Sequence, residues 1–390
     1  MTLETTSVGS TGLAKDEYPS LTHANYALGL LFVTYLLSFL DRQVLTLLVG
    51  PIREQFGLSD FQFSLLQGAA FAVTYTIAGI PLGRLADRYS RRWIIAGSIF
   101  SWSVMTCACG WAKSYSQLFL ARMGVGIGEA GLSPAAYSII TDSYRPDHMG
   151  YALSFYKMGV TVGGGLALVL GGMIYDFYLA QPSIEWPLLG ELKPWQATLI
   201  TAGLPGFVLC ILMGTIQEPS RKGVAISKTS ATDGQKSFPF MTVIRFLWQR
   251  KRLYGVLFLG SSFLSIANYG SAAWYPEMLA RNYGLSKSET GSAFGMIYLI
   301  AGTIGVMAGP FLASRLQRAG YADANVRTVL IASIVSILPA TLAPLMGSAE
   351  STLLVLWPTV FISMTYLGIM AVSFQLITPN EMRGQTTAIY

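Results

Sequence analysis

Ten long apolar stretches, separated by short polar segments, run along most of this 390-residue chain. A helix needs about 20 apolar residues to cross a hydrocarbon core about 30 Å thick. Because a backbone in lipid must satisfy its own hydrogen bonds, we predict an all-α integral membrane protein. The ten predicted spans lie approximately at residues 25–50, 61–83, 93–112, 116–142, 149–175, 196–216, 253–276, 290–312, 328–346 and 352–376. An eleventh is expected to begin near Gln385 and to continue beyond Tyr390.

The long polar segment 217–252 divides these spans into six and four. Short sequences recur on either side of it: LADR at 85–88 returns as LASR at 312–315, 227 residues later. RPDHMG at 145–150 is echoed by TPNEMRG at 378–384. Two repeated helical bundles are typical of secondary transporters. We therefore predict a cytoplasmic tail at 1–24, a six-helix bundle at 25–216, a cytoplasmic linker at 217–252 and an incomplete second bundle at 253–390.

Basic residues are distributed unevenly between the two sides of the predicted membrane. Seventeen Lys and Arg fall in one set of alternate loops and five in the other. The richer side is expected to be cytoplasmic, together with the N-terminus. The net charge of +6 is therefore explained by topology, and no nucleic-acid partner is expected.

The composition narrows the class of protein further. Only 12% of residues are charged, against about 25% in soluble domains. Two distant histidines and three cysteines without CxxC spacing give no metal site and no disulfide framework, so no cofactor is expected. The outer loops are short and lack an N-x-S/T sequon, which favours a bacterial inner membrane. We expect a monomer whose partners are the lipid bilayer, protons and a small substrate.

Three charged residues lie deep in the predicted spans, Asp41 and Arg42 in the first and Glu129 in the fourth, and Arg122 lies nearby in the fourth. A charge at mid-membrane costs about 2.5–3.5 kcal/mol on insertion scales, so such residues normally face a cavity and pair. We expect Asp41 to meet Arg122, and Arg42 to reach Glu129 or an anionic substrate group. Asp41, Glu129 and Arg122 would then couple transport to protons. The alternative is a static set of ion pairs that holds the two spans together.

Polar side chains near this cluster suggest the other walls of a cavity. Ser38 lies one turn before Asp41 on the same helix face, and Arg42 could hold the substrate. The later spans offer amide and aromatic groups instead, Asn268, Tyr269 and Tyr298. Such a cavity suits an amphipathic solute, although aromatic residues in membrane helices usually serve packing.

Two motifs carry a family resemblance. GRLADRYSRR, Gly83 to Arg92, resembles the signature loop of the major facilitator superfamily, with Ser90 in place of a glycine. RMGVGIGEA, which begins at Arg122, is similar to the fourth-helix motif of its proton-coupled members. With LDRQV in the first span and GEAGLSPAAYSIITD in the fourth, the chain resembles the Spinster branch of lipid transporters. The resemblance implies two pseudo-symmetric six-helix bundles and a lysolipid or sphingoid-phosphate-like cargo.

The same resemblance implies a cytoplasmic conformational latch in the signature loop. Its predicted members are Gly83, Asp87, Arg88, Arg91 and Asp142. Asp87 would sit near the N-terminus of the eleventh span, where the helix dipole favours an acid. Arg88 would pair with Asp142 at the end of the fourth span.

The sequence thus predicts a secondary active, proton-coupled transporter that moves an amphipathic lipid-like or organic anion by alternating access. The alternative is a multidrug or other organic-solute carrier of the same fold. A cationic cargo would favour free acids, whereas a paired Arg42 favours an anion. An enzyme is not expected, because no catalytic cluster or triad is evident. A channel or receptor would not explain the duplicated loop motif.

Overall fold

The computed structural model describes residues 18–186, 190–221, 240–367, 369–370 and 377–378. Three sequence predictions therefore lie wholly or largely outside the described residues: the N-terminal tail, the middle of the linker and the eleventh span. Most of the TPNEMRG repeat, from residue 379 onward, lies outside them as well.

The first half is built from helices joined by short turns. They are α1 (Leu21–Leu47), α2 (Val49–Phe56), α3 (Asp60–Ser64), α4 (Ala70–Arg88), α5 (Arg91–Gly110), α6 (Tyr115–Glu129), α7 (Leu132–Ser143), α8 (Pro146–Leu179) and α9 (Pro194–Met213). A π-helical turn, Leu65–Ala69, joins α3 to α4. Between α8 and α9, a two-residue strand β1 (Glu185–Trp186) pairs antiparallel with β2 (Gly190–Glu191).

The second half repeats this style of construction. Its described helices are α10 (Phe240–Gln249), α11 (Lys251–Tyr283), α12 (Lys287–Ile297), α13 (Thr303–Arg318), α14 (Ala324–Leu342) and α15 (Ala349–Thr365). A π-helical turn, Tyr298–Gly302, joins α12 to α13, and a 3-10 turn, Ala343–Leu345, extends α14.

Within the described residues, eight helical segments are long and apolar enough to cross a membrane. The two remaining predicted spans differ from this pattern. The predicted fourth span is divided into α6 and α7, with a break at Ala130 and Gly131. The predicted tenth is the shorter apolar helix α15, of 17 residues. Helices therefore occupy all ten predicted positions, although among the described residues the fourth and the tenth do not reach spanning length as single helices.

Backbone geometry supports the predicted duplication. Gly57 and Gly284, which are 227 residues apart, both end a helix with a positive φ, 63° and 69°. Two residues after each, Ser59 and Ser286 begin the next helix with a complete capping box. These pairs have the same spacing as LADR and LASR. The same sequence, GLS, thus specifies the same turn in each half.

Helix packing brings the two halves together along α8. Within the first half, α1 lies along α8, and α5 lies between α6 and α9. Across the halves, α8 packs against α12. A Cβ atom added to Gly165 would lie 2.8 Å from the carbonyl oxygen of Gly295, and one added to Gly295 would lie 2.7 Å from that of Gly165. Only glycine permits this approach of two helix backbones.

Candidate functional site

The four charged residues predicted in the spans lie together between α1 and α6. Asp41 and Arg42 are on α1, and Arg122 and Glu129 are on α6. Seven residues are close to two helical turns, so Arg122 and Glu129 share a face of α6. Asp41, Arg122 and Glu129 are buried, whereas the side chain of Arg42 is 21% exposed.

Arg42 forms the ion pair with Glu129 that the sequence suggested. Its Nε and Nη2 atoms donate to the same oxygen, Glu129 Oε2, at 2.7 and 2.5 Å. The second oxygen, Oε1, is buried and has no hydrogen-bond partner among the described residues. A fork-to-fork pair would engage both oxygens. The pair therefore joins two full charges but leaves one acceptor atom, Glu129 Oε1, without a hydrogen bond among the described residues.

The expected ion pair between Asp41 and Arg122 is wrong. The Asp41 carboxylate accepts a hydrogen bond from Thr106 Oγ1 on α5, at 3.3 Å. Arg122 Nη1 instead donates to the main-chain carbonyl of Asp41, at a long 3.5 Å. The reason is that the Asp41 side chain faces α5, so α6 meets its backbone. Within the described chain, Asp41 Oδ1 and Arg122 Nε are buried without partners.

Three aromatic rings surround the Arg42 guanidinium, and the sequence did not indicate them. Its Cζ atom lies 4.8, 4.4 and 5.2 Å from the ring centroids of Phe39, Phe71 and Tyr75. Guanidinium groups are weakly hydrated and bind well to aromatic faces. The available signal was positional: Phe39 is nearly one turn from Arg42 on α1, and Phe71 and Tyr75 are one turn apart on α4.

The structure brings together only some of the predicted substrate-binding residues. Asn268 and Tyr298 line one cavity of about 20 Å³, which has room for about one water molecule. Tyr269 does not line that cavity and is 61% exposed. Ser38 is buried, and its hydroxyl donates to the carbonyl of Tyr35 on its own helix at 2.9 Å. Ser38 is therefore placed in the α1 packing surface rather than in the cavity.

In the predicted latch, Arg91 replaces Arg88 as the partner of Asp142. Arg91 is fully buried, and its guanidinium makes ion pairs with Asp142 and with Glu218 Oε1, the latter at 3.0 Å. Arg88 is exposed and forms no ion pair with another described residue. The expected Arg88–Asp142 pair is thus wrong. Because α4 ends at Arg88 and α5 starts at Arg91, only Arg91 projects toward α7.

The two other predicted latch residues lie on the exposed end of α4. Asp87 is exposed, and its expected partner, the eleventh span, lies outside the described residues. The main-chain oxygens of Asp87, Ala86 and Tyr89 accept hydrogen bonds from Arg221, which caps the end of α4. A Cβ atom at Gly83 would make an ordinary contact with Pro134, at 3.9 Å.

Glu218 is the main residue of this region that sequence reasoning missed. It accepts hydrogen bonds from the hydroxyl of Ser90 and from the backbone and side chain of Arg91. Burial raises the pKa of Glu218, but these hydrogen bonds outweigh burial and hold its pKa below the ordinary value of 4.5. The signal was an acid placed directly after an apolar span.

A second ionic network joins the two halves at the opposite end of the molecule. Asp60 and Arg88 begin and end one continuous helical segment of 29 residues, so they lie about 43 Å apart. Asp60 Oδ1 is 2.9 Å from Arg281 Nη2 on α11. Arg281 also contacts Glu277 at 2.7 Å, and Glu277 contacts Lys287 at 3.1 Å. Arg281 and Lys287 are two of the five basic residues counted on the less basic side of the predicted membrane, and no further role was predicted for them from the sequence.

Comparison with known proteins identifies the family. A sequence profile described as Major Facilitator Superfamily matches residues 31–390. The chain belongs to the major facilitator superfamily. The superfamily consists of secondary transporters rather than enzymes, so the predicted fold class and the assignment to transport are confirmed.

Solved structures of individual superfamily members resemble this chain over most of its length. A bacterial homologue of the human lysosomal transporter Spinster, crystallised in an inward-facing and unoccupied conformation, has a TM-score of 0.78 and 30% identity. The match covers 95% of this chain and 79% of that one. A D-xylose–proton symporter, with 16% identity and a TM-score of 0.69, shares the fold. The predicted resemblance to Spinster proteins is confirmed.

Two curated members match at lower identity. Spinster homolog 1 of Rattus norvegicus is 26% identical over 79% of this chain, which spans 58% of the rat protein. An MFS-type efflux pump of Mycolicibacterium smegmatis is 26% identical over 93% of this chain and 79% of the pump. The chain spans less than two thirds of the Spinster relative. The substrate of the whole protein is therefore a proposal.

The two ionic networks, one around Arg91 and one around Asp60 and Arg281, lie at opposite ends of the molecule and differ in which helices they connect. The Asp60–Arg281 network ties α3 of the first half to α11 of the second. The Arg91 network, in contrast, connects α5, α7 and the segment after α9, all in the first half or directly following it. The halves are therefore bound to each other by ion pairs at the Asp60 end.

Proposed function

We propose that this superfamily member is a proton-coupled transporter that moves an amphipathic lipid-like or organic anion by alternating access. The observation that carries the proposal is the ion pair between Arg42 and Glu129. It is buried between two helices, it engages one carboxylate oxygen, and its cation is partly exposed within an aromatic cage. An ion pair that served only to hold helices would be expected to use its hydrogen-bonding groups fully.

Arg42 supplies the group that would hold an anion. A guanidinium presents five donors in a planar fork and binds carboxylates and phosphates through two of them. The rings of Phe39, Phe71 and Tyr75 offer apolar surface beside that charge. A solute with an anionic head and an apolar body matches both features better than a sugar does.

Glu129 supplies the link to protons. While ionised, its carboxylate neutralises Arg42 and competes with any anion for it. Protonation removes that charge, so Arg42 becomes available to the cargo. Proton binding and anion binding then favour each other. Asp41, buried on the adjacent side of α1 with one unpartnered oxygen in the described structure, is the second carboxylate proposed to take part.

The outer ionic network supports alternating access. We assign the Asp60–Arg281 end to the outside, because the loop that contains Arg84, Arg88, Arg91 and Arg92 lies at the other end. Ion pairs between the halves at the outer end correspond to an inward-facing state. On this assignment the N-terminus would be cytoplasmic. A monomer and a bacterial inner membrane remain part of the proposal.

A multidrug or organic-solute carrier is the second candidate. The similarity to the mycobacterial efflux pump favours it. In that case a cationic cargo would displace Arg42 and pair with Glu129 or Asp41 directly. The two candidates therefore predict opposite charge preferences at one site.

Uptake into vesicles separates the candidates. The purified protein is reconstituted and offered a labelled anionic lysolipid, an organic cation and a neutral sugar, each with and without a pH gradient. The proposal predicts saturable lysolipid uptake that the gradient accelerates, without uptake of the sugar. Gradient-driven uptake of the cation alone would support the multidrug candidate and contradict the proposal.

A further inference from the structure

A short amphipathic helix leads into the second half of the molecule. α10 ends at Gln249, and α11 begins two residues later at Lys251. One face of α10 is buried: Val243 and Leu247, one turn apart, join Ala313 of α13 in an apolar cluster. This face attaches α10 to the ends of neighbouring helices rather than to the interior of a bundle.

The outward face of α10 combines large apolar side chains with basic ones. Met241 and Trp248 are 73% and 70% exposed. Four exposed basic residues accompany them: Arg245, Arg250, Lys251 and Arg252. The segment from residue 240 to residue 255 contains no acidic residue. A short helix with exposed aromatic and cationic side chains is suited to the plane of a membrane interface.

The next helix fixes the depth of this segment. Exposed apolar residues of α11, Val256, Leu259 and Phe263, recur at helical spacing and form a lipid-facing stripe. Lys251 precedes Val256 by five residues, about 7.5 Å along the helix axis. Lys251 Nζ also lies 5.4 Å from the ring centroid of Trp248. The basic side chains therefore stand where hydrocarbon gives way to head groups.

We propose that α10 and the first turn of α11 bind the phosphate head groups of anionic phospholipids. Charge complementarity identifies the occupant, because the segment 240–255 carries four exposed cations and no acid. The exposed apolar side chains of α10, Met241 and Trp248, continue the lipid-facing stripe of α11. This continuity favours a lipid over a soluble partner. Each basic residue near an anionic membrane surface strengthens binding about fivefold. Such binding would hold the start of α11 at the membrane surface.

Native mass spectrometry of the purified protein tests this site. Phosphatidylglycerol or phosphatidylcholine is titrated into wild type, into Lys251→Gln/Arg252→Gln and into a control, Lys113→Gln/Lys193→Gln. The control removes two exposed lysines at the opposite end of the molecule. We expect the Lys251/Arg252 variant to bind phosphatidylglycerol at least about tenfold more weakly, with phosphatidylcholine binding unchanged.

The control is expected to bind both lipids as wild type does. Thermal unfolding should be the same for all three proteins, because the substituted side chains are exposed. Phosphatidylglycerol binding within twofold of wild type in the Lys251/Arg252 variant would overturn the proposal. So would an equal loss in the control, or an equal loss of phosphatidylcholine binding, since neither reflects recognition of anionic head groups by α10.

Discussion

Arg42 and Arg91 both carry charge into the first half of the protein, but they use their hydrogen-bond donors very differently. Arg91 is fully buried and donates to Glu218, Asp142, Ser138 and the carbonyl of Pro219. Arg42 is one-fifth exposed, and its described hydrogen bonds reach a single oxygen of Glu129. Its remaining neighbours include aromatic rings.

This contrast separates a structural cation from one that can exchange partners. Displacing Arg91 would remove the hydrogen bonds that its guanidinium donates to two carboxylates and to several other acceptors. Displacing Arg42 from Glu129 breaks two hydrogen bonds to one oxygen, and a proton on Glu129 removes the charge left behind. We therefore assign stability chiefly to Arg91 and transport chiefly to Arg42.

The largest expected effect is on stability, from Arg91→Ala. Removing one partner of a buried ion pair destabilises by about 3–5 kcal/mol. The carboxylates of Asp142 and Glu218 are 14% and 20% exposed, so we expect the lower end of this range. Arg88→Ala, three residues earlier and exposed, should change the free energy of unfolding by less than about 0.5 kcal/mol. Chemical unfolding in detergent measures both. Equal stability of the two variants would remove the structural role given to Arg91.

Arg42→Ala is expected mainly to lower the affinity for the anionic cargo. Hydrogen bonds to charged groups contribute about 1.5–3 kcal/mol, which corresponds to a loss of anion affinity of about 10- to 150-fold. The loss should appear with and without a pH gradient, because it removes the binding group itself. Equilibrium binding of the labelled anion measures it, with Arg327→Ala, which removes an exposed arginine of the second half, as the control. Unchanged affinity in Arg42→Ala would contradict the assignment.

Glu218→Gln probes the Arg91 network through pH. The pKa of Glu218 is lower in the folded protein than its ordinary value of 4.5. Its ionised form therefore stabilises the fold above pH 4.5, and that contribution is lost as the pH falls through the lowered pKa. The wild type should lose more stability on acidification than Glu218→Gln does. Parallel stability curves for the two proteins would show that Glu218 contributes nothing.

The smallest expected effect concerns the outer network. Arg281→Gln removes the contact with Asp60, a partly exposed ion pair worth about 0.2–1 kcal/mol. The outward-open population should rise by up to about fivefold. The rate of chemical labelling of a cysteine introduced between the two halves, one helical turn from Asp60 toward the middle of the molecule, measures this population. Arg327→Gln is the control, since it breaks an exposed pair within the second half, with Asp323. Equal labelling of wild type and Arg281→Gln would argue against the network as a gate.

The sequence predicted the features that follow from the lipid environment and from the length and spacing of apolar stretches. The duplicated half rests on the recurrence of LADR as LASR. The spans and the pairing of Arg42 with Glu129 rest on one fact, that lipid excludes unpaired charge and unsatisfied backbone. The site residues Asp41, Glu129, Arg122 and Arg42 are adjacent in the structure for that reason. Their roles in coupling and binding stay predictions.

The contacts that the sequence did not predict depend on how separate helices end and pack against each other. Asp41 faces Thr106 because of how α1 rotates against α5, and Arg91 replaces Arg88 because α4 ends where it does. Asp60 and Arg281 are 221 residues apart and meet because α3 and α11 approach each other at one end of the molecule. Such pairings are set by helix ends and helix packing, which hydrophobic periodicity does not determine.

We propose that Glu129 couples protons to Arg42, and the substitution Glu129→Gln isolates that role. Gradient-driven uptake and equal-pH exchange of the labelled anion are measured in vesicles, each normalised to folded protein. The account predicts that the variant exchanges cargo at equal pH but gains nothing from a proton gradient, because Gln mimics the protonated acid permanently. Gradient acceleration that survives intact in Glu129→Gln would contradict the account.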